Sequence, residues 1–192
     1  MITAVILAAG QSKRMGQPKM LLPWGGSTVL QTVISAFRSA GVDEVLVVTG
    51  GAREAVETLV GDSARTVFNA HHLTGGMLSS IQAGLAQAHP EAGAAFIALG
   101  DQPQVQPRTI LALLESHQRA GAGLIVPSYQ QRRGHPWLVE RALWQELLCL
   151  PAPLTMRDFL NRHADAIHYV DAQDDSVLAD LDTPEDYLKS RP

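Results

Sequence analysis

The stretch that decides the fold of this chain is Val5-Ile6-Leu7-Ala8-Ala9-Gly10-Gln11-Ser12-Lys13-Arg14-Met15-Gly16-Gln17-Pro18-Lys19. It joins a short apolar run to a loop that is flanked by glycines and carries three cations. The apolar run predicts a buried strand. The small residues at its end leave main-chain N–H groups open to a ligand. Because lysine and arginine neutralise phosphate oxygens, the whole stretch predicts a loop that holds a triphosphate.

Two common phosphate-binding motifs do not match this loop. A P-loop needs a lysine directly after its second glycine, but Gly16 is followed by Gln17 and Pro18. A dinucleotide-binding fingerprint reads Gly-x-Gly-x-x-Gly, and Gly10 has no glycine two residues further on. The alternative to a triphosphate-binding loop is a basic surface loop that is solvated and binds no ligand.

Charge is distributed unevenly along the chain. The first 42 residues contain four basic side chains (Lys13, Arg14, Lys19 and Arg38) and no carboxylate, although the 192-residue chain has a net charge of −4. A positive field at one end of an acidic protein favours the capture of an anionic ligand. Nucleic acid is excluded as a partner, because one basic cluster does not form a stripe that follows a phosphate backbone.

The remaining composition is that of a globular domain in a reducing compartment. Cys149 is the only cysteine, which excludes an internal disulfide and favours a cytoplasmic location. It lies in the apolar run Leu147 to Leu150, where we expect a buried structural thiol. No apolar run reaches the length of a membrane span, so we expect no membrane association.

Apolar runs and helical patterns alternate over the first two thirds of the chain. Continuous rather than alternating apolarity predicts strands covered on both faces, at 4–7, 45–48, 94–99 and 124–126. Helical spacing of apolar residues predicts helices at 29–40, 53–59, 77–88 and 107–119. This order predicts an α/β fold, with a doubly wound, mostly parallel, Rossmann-like sheet and helices on both faces.

The pattern changes after Pro127. A polar segment is followed by predicted strands at 135–139 and 166–170 and by predicted helices at 141–150 and 155–162. We interpret residues 1–192 as one domain, in which 1–127 form the nucleotide-binding half and 128–192 form an acceptor-binding and closing segment. Ligands of open α/β sheets bind at the carboxyl ends of the strands. The glycines Gly10, Gly50, Gly51 and Gly100 follow predicted strands, so we expect them to converge there.

Three carboxylates are candidates for metal chemistry. Asp101 directly follows the strand predicted at 94–99 and Gly100, and a carboxylate at that place suits Mg²⁺, which takes one or two carboxylates together with phosphate oxygens. Asp180 and Asp182 are two residues apart on an extended segment and therefore face the same side. Asp182 has a structural alternative, because either it or Thr183 can cap a helix that begins at Pro184.

The motif from Leu7 to Lys19 resembles the signature of the MobA-like nucleotidyltransferases. Other segments are similar to the pterin cytidylyltransferase branch of that family, and the matches run from residue 4 to residue 187. These segments are Lys19-Met20-Leu21-Leu22-Pro23-Trp24, Gly100-Asp101-Gln102-Pro103, Gly134-His135-Pro136 and Asp180-Leu181-Asp182-Thr183-Pro184-Glu185-Asp186.

The resemblance implies a nucleotide site and a set of roles. Arg14, Lys19 and Asp101 would be catalytic, and Asp101 and Asp180 would hold the cofactor Mg²⁺. The base would be read by Ser80 near Asn69 and Gly75, although Ser79 or Ser80 can equally be an inward-facing serine of the helix. The nucleotide-binding residues would be Leu7, Ala8, Ala9, Gly10, Ser12, Lys13, Arg14, Lys19, Asn69, Gly75 and Ser80.

The resemblance also implies the reaction, which is transfer of CMP from CTP to the phosphate of a molybdopterin-type cofactor with release of pyrophosphate. His135 and Asp182 would contact this acceptor, with Arg132, Arg133 and Arg157 as further candidates. A recipient molybdoenzyme is a possible partner. The alternatives are guanylyl or other nucleotidyl transfer to another acceptor, such as a sugar phosphate, and a non-catalytic protein that delivers nucleotide or cofactor.

Overall fold

A mostly parallel sheet runs through the middle of the molecule. The computed structural model describes all 192 residues. The strands are β1 Ile2–Ala8, β2 Pro23–Trp24, β3 Ser27–Thr28, β4 Glu44–Thr49, β5 Arg65–Phe68, β6 Ala94–Leu99, β7 Leu124–Tyr129, β8 Arg132–Arg133, β9 Trp137–Glu140 and β10 Ile167–Asp171. The helices are α1 Val29–Ser39, α2 Arg53–Val60, α3 Gly76–Ala86, α4 Pro107–Ala120, α5 Trp144–Cys149, α6 Met156–Arg162 and α7 Pro184–Ser190.

The strands of the main sheet lie in the order β10-β7-β9-β6-β1-β4-β5, and β8 pairs with β7. β1 lies between β6 and β4 and is parallel to both. β9 is antiparallel to its two neighbours, β6 and β7. The segment after Pro127 therefore contributes strands inside the same sheet and at its edge. A separate hairpin is formed by β2 and β3.

Alternate residues of the central strands face two different apolar clusters, as expected for a sheet covered on both sides. Ala4 and Ile6 of β1 pack in a cluster with α1, α2 and α4. Val5 and Leu7 pack in a cluster with α3, α5 and α6. The predicted α/β fold with helices on both faces is confirmed.

Most predicted elements are present, with bounds shifted by up to three residues. The prediction for Cys149 is wrong, because this residue is exposed. Trp144 and Leu147 form the buried face of α5. Cys149 comes two residues after Leu147, about 200° further around the helix, and so lies on the opposite side. The predicted helix at 141–150 begins as a 3₁₀ turn at Arg141–Leu143 and becomes α-helical at Trp144.

No helix of the structure combines the length and apolarity that a membrane span requires.

Gly84 gives a direct test of the packing between α3 and β1. A Cβ at this position would lie 2.2 Å from Cγ1 of the buried Val5 and 3.1 Å from Cγ2 of Val48. Because both neighbours are buried β-branched residues of central strands, we expect Gly84→Ala to lower the free energy of unfolding by about 1–3 kcal/mol despite its better helix propensity. Guanidinium unfolding measures the change. Gly93→Ala is the matched control, because nothing lies within 4 Å of its added Cβ. Equal stability of the two variants would contradict this packing.

Candidate active site

A cavity of about 450 Å³ opens at the carboxyl ends of β1 and β6. One end is apolar and carries a serine and a histidine, and the other end carries one lysine and three carboxylates. The lining residues are Leu7, Ala9, Gly10, Lys19, Met20, His72, Gly76, Met77, Ser80, Leu99, Asp101, Asp180 and Asp182.

The glycines after the strands converge as expected, and close backbone approach explains two of them. The N–H of Gly100 donates to the carbonyl of Leu7 at 3.0 Å. A Cβ on Gly100 would lie 2.9 Å from that same oxygen, and a Cβ on Gly50 would lie 2.5 Å from the carbonyl oxygen of Ala9. Any side chain at either position would therefore push the neighbouring strand end away from the cavity.

Lys19 is the central cation of the site. Its Nζ forms an ion pair with Asp101 and lies 3.4 Å from Oδ1 of Asp182. The side chains of Lys19 and Asp101 are each only 13% exposed, so solvent screens their interaction weakly. Ser12 holds the backbone of this lysine, because its Oγ accepts from the N–H of Lys19 at 3.2 Å. Three elements distant in sequence thus place their charges around one point.

Leu181 explains how the two late aspartates reach the site. Its side chain is fully buried in a small cluster with Met15, Leu22, Trp24 and Val29. Its N–H donates to the carbonyl of Asp101 at 3.3 Å. Because side chains alternate along an extended segment, burying Leu181 turns Asp180 and Asp182 to the other side, where both line the cavity.

The structure assigns the helix cap to Thr183 and not to Asp182. Thr183 is the N-cap of α7, with a capping box formed by Thr183 and Asp186. Asp182 is left to interact with cations, since Oδ2 lies 3.1 Å from Nη1 of Arg14. Arg14 itself is 73% exposed and does not line the cavity, so its link to the site is this ion pair.

Asp180 is held by a residue that the sequence did not single out for a role. Nε2 of the buried Gln102 donates to Oδ1 of Asp180 at 2.7 Å. Asp180 is exposed as a residue, but its carboxyl lines the cavity and contacts Gln102 in a partly buried place. This partial burial raises the pKa of Asp180, the charge of Asp101 raises it further, and the hydrogen bond from Gln102 opposes both. The carboxylates therefore repel each other in a way that a cation would relieve.

These residues fit a magnesium ion that is shared with phosphates. No group of three or more His, Cys, Asp and Glu side chains is arranged to hold a metal by itself. Two carboxylates in one cavity, Asp101 and Asp180, match the incomplete oxygen ligand set that Mg²⁺ completes with phosphate oxygens and water. The donor chemistry of the site is thus compatible with Mg²⁺.

Asn69 organises the other end of the cavity. This residue is 2% exposed, and its Nδ2 donates to Oγ of Ser79 at 2.9 Å and to Oγ of Ser80 at 3.0 Å. Ser80 lines the cavity from the first turns of α3. Asn69 lies behind Ser80 rather than on the cavity wall.

Several residues expected to bind nucleotide do not line this cavity. Lys13 is exposed and has no ion pair, and Ser12 braces the loop instead. Ala8 packs in the apolar cluster on the other face of the sheet, so only its main-chain atoms are available. Gly75 lies in a neighbouring cavity. The cavity also contains Met20, His72, Met77 and Leu99, for which the sequence predicts no role.

A second cavity of about 850 Å³ adjoins the first, and Gly76 and Met77 line both. Its wall includes His135, Trp137, Arg133 and Arg157. The rings of His135 and Trp137 lie 4.0 Å apart between centroids, with an angle of 30° between their planes. Arg132 belongs to the exposed strand β8 and does not line this cavity. The predicted acceptor residues His135 and Asp182 therefore lie in neighbouring cavities.

His135 is held neutral by its surroundings. The main-chain N–H of His135 donates to the carbonyl of Val177 at 2.9 Å. The ring atom Nε2 is buried without a hydrogen-bond partner. Burial lowers the pKa of His135 from its ordinary 6.5 to about 4. The ring is therefore uncharged at neutral pH and contributes packing and shape to the second cavity.

The lowered pKa of His135 predicts a pH dependence of stability. Between pH 6.5 and 4 the unfolded chain binds a proton at this ring and the folded chain does not, so stability is lost as the pH falls. From pH 7 to pH 5 we expect the wild type to lose about 2 kcal/mol more than His135→Gln, which has no titrating ring. Urea unfolding at the two pH values measures this difference. Parallel pH profiles would contradict it.

Comparisons with known proteins agree with this geometry. Residues 4–167 match the model of the MobA-like NTP transferase domain. The chain is 30% identical to the molybdenum cofactor cytidylyltransferase of Escherichia coli, over 99% of this chain and 95% of that protein. It is also 34% identical to the nicotine blue oxidoreductase of Paenarthrobacter nicotinovorans, over 96% of this chain and 93% of that protein.

Solved structures with the same fold include the Rv0371c protein of Mycobacterium tuberculosis in complex with manganese, with a TM-score of 0.80 and 31% identity over 98% of this chain and 96% of that chain. A nucleotidyl transferase of Methanothermobacter has a TM-score of 0.85 and 28% identity over 100% of this chain and 96% of that chain. With a family match over most of its length and a shared fold, this chain belongs to the MobA-like NTP transferase family.

Proposed function

We propose that this protein transfers CMP from CTP to the phosphate of a molybdenum-pterin cofactor and releases pyrophosphate. The observation that carries the proposal is the convergence of Lys19, Asp101, Asp180 and Asp182 in one cavity at the ends of the parallel strands. A triphosphate is the ligand whose chemistry requires both a cation and metal-binding carboxylates at one point.

The phosphate chain would lie against the loop from Gly10 to Lys19. Main-chain N–H groups of Ala8, Ala9 and Gly10 would donate to phosphate oxygens, since no large side chain stands in the way. Lys19 is held in place before the ligand binds by Ser12 and Asp101. Arg14 is tethered to Asp182 at the rim, from which its guanidinium would neutralise charge on the departing pyrophosphate.

Asp101 and Asp180 would hold Mg²⁺. When bound, the metal would neutralise charge on the phosphate oxygens and orient the phosphate chain. The manganese in the related mycobacterial structure supports a divalent metal for this family.

The acceptor needs no general base. The second pKa of a phosphomonoester is about 6, so its attacking oxygen is already ionised at neutral pH. The second cavity adjoins the first at Gly76 and Met77, which would bring an acceptor phosphate to the nucleotide. Arg133 and Arg157 would meet its anionic groups, while the neutral ring of His135 would shape the wall. In this proposal residues 1–127 bind the nucleotide, and residues 128–192 bind the acceptor and close the nucleotide site with Asp180 and Asp182.

CTP and the pterin acceptor are supported by the similarity to the Escherichia coli cytidylyltransferase. A cytoplasmic site of action is supported by the presence of a single cysteine, which suits a reducing compartment. A recipient molybdoenzyme would then receive the product. The similarity to an oxidoreductase gives a second candidate, a redox reaction in the same cavity. The cluster of carboxylates around Lys19 favours nucleotidyl transfer, because hydride transfer gives these groups no role.

Pyrophosphate release with purified protein tests the proposal. The assay combines CTP, GTP, UTP or ATP with molybdopterin or a sugar phosphate, and a parallel assay tests reduction of the dye nicotine blue with NADH or NADPH added as reductant. We expect pyrophosphate only with CTP and the pterin. Turnover with another pair, reduction of the dye, or nucleotide binding without turnover would each overturn the proposal.

Substitution of the central ion pair tests the roles within the site. We expect Lys19→Ala and Asp101→Asn each to lower kcat by roughly two to three orders of magnitude, because each removes a group that stabilises developing charge. Steady-state pyrophosphate release measures the effect. Arg38→Ala is the control, since Arg38 is an exposed cation near the end of α1 that does not line the cavity. Near-normal turnover by both site variants would refute the assignment.

Metal dependence tests the role of Asp180. We expect EDTA to abolish pyrophosphate release and added Mg²⁺ to restore it. Asp180→Asn should raise the Mg²⁺ concentration for half-maximal rate by roughly tenfold or more, because an amide is a weaker ligand for a hard cation than a carboxylate. Asn keeps an oxygen that can accept from Gln102, so local packing is retained. An unchanged Mg²⁺ requirement would remove Asp180 from the metal site.

A further inference from the structure

We propose that His72 reads the nucleobase as a hydrogen-bond acceptor, paired with Ser80 as the donor, and that this pair selects the amino-bearing edge of cytosine. The inference rests on the proposed function, because it identifies the base-reading groups of the same cavity. His72 and Ser80 both line that cavity, in the same region as Gly76 and Met77.

The contact with Asn69 determines which ring nitrogen of His72 donates and which accepts a hydrogen bond. Nδ1 of His72 lies 3.0 Å from the carbonyl oxygen of Asn69. A carbonyl only accepts, so Nδ1 carries the proton of the neutral ring. Nε2 is then left with a lone pair, and it makes no hydrogen bond within the protein, where the ring is bonded through Nδ1 alone. His72 therefore offers an acceptor to a ligand in the cavity.

The same asparagine determines whether the hydroxyl of Ser80 donates or accepts a hydrogen bond in the cavity. The two hydrogens of the Asn69 amide are donated to Ser79 and Ser80, and its Oδ1 accepts from the N–H of His71 at 2.8 Å. Ser80 is thus an acceptor toward Asn69, and its own hydroxyl hydrogen has no partner within the protein. Ser80 therefore offers a donor to the cavity.

The histidine is fixed in place from several sides. A Cβ on Gly50 would lie 2.8 Å from Cβ of His72, so this glycine makes room for the histidine beside the end of β4. The rings of His72 and Phe68 lie 5.9 Å apart between centroids. The guanidinium of Arg53 lies 4.4 Å from the centroid of the other ring, that of Phe68. A preorganised acceptor of this kind discriminates between ligands better than a mobile one.

One acceptor beside one donor matches the edge of cytosine. Its exocyclic amino group donates, and its ring nitrogen accepts. Uracil presents a carbonyl where cytosine has the amino group, which would place two lone pairs against each other at His72. The base that fits both protein groups in this arrangement carries an amino group next to an acceptor.

The test is a cycle in which the protein and the ligand are each changed. Binding of CTP is measured by calorimetry at pH 8 and compared with binding of UTP and of the CTP analogue that lacks the exocyclic amino group. We expect wild type to bind CTP roughly 10- to 100-fold more tightly than either, as expected for one hydrogen bond and its loss at a partly buried site. His72→Phe should bind CTP and the analogue that lacks the amino group with nearly equal affinity, while UTP stays weaker because its ring N–H still faces the Ser80 donor. His72→Gln, which keeps an acceptor, should recover part of the preference for the amino group.

His71→Phe is the matched control, since His71 is the exposed neighbour and does not line the cavity. It should keep the wild-type preference. In turnover the loss in His72→Phe should lie in KM and leave kcat within about threefold, because the contact is the same in the ground state and the transition state. This split separates base reading from a general loss of structure.

Equal affinity of the wild-type protein for CTP and the analogue that lacks the exocyclic amino group would overturn the inference without any variant. A preference for CTP over this analogue that survives in His72→Phe would also overturn it. These outcomes are distinct from failure of the proposed function, which is absence of pyrophosphate release by wild type with CTP and the pterin.

Discussion

Burial of Leu181 is the constraint on which the site depends. The residue fills a small apolar cluster between the loop that follows β1 and the C-terminal segment. Because it is buried, the aspartates on either side of it face the cavity, where Asp182 meets Lys19 and Arg14. Six residues after Leu181, Tyr187 packs against the same cluster, and its hydroxyl donates to the carbonyl of Pro23 at 2.7 Å. An apolar side chain thus determines where the charges lie.

The parallel sheet supplies the other half of this arrangement. β1 and β6 are neighbours in register, so the loops after them begin side by side. Glycine at positions 50 and 100 lets the loops after β4 and β6 approach the backbone at the end of β1. The loop from Gly10 to Lys19 and Asp101 therefore meet because β1 and β6 are neighbours in the sheet. The C-terminal segment with Asp180 and Asp182 then completes a site in which these two parts already lie side by side. The second cavity, built largely from residues after Pro127, adjoins that point.

The sequence predicts the buried part of this structure better than its margins. Central strands are recognisable because both faces are covered and their residues are apolar throughout, as in β6. The edge strand β5 is not predicted, because Arg65 and Thr66 interrupt the continuous apolar pattern. Cys149 was placed wrongly because a continuous apolar run in a helix still has an exposed side. The cap at Thr183 and the hydrogen bond of His72 depend on contacts that spacing does not encode.

The most direct measurement of the central claim is anomalous diffraction from Mn²⁺ in a crystal grown with a non-hydrolysable CTP analogue. If cations and carboxylates surround one metal-bound phosphate chain, the manganese peak lies between Asp101 and Asp180 and contacts the phosphates, with Lys19 on the same chain. A peak away from both aspartates, or a triphosphate bound outside the loop from Gly10 to Lys19, would contradict the account.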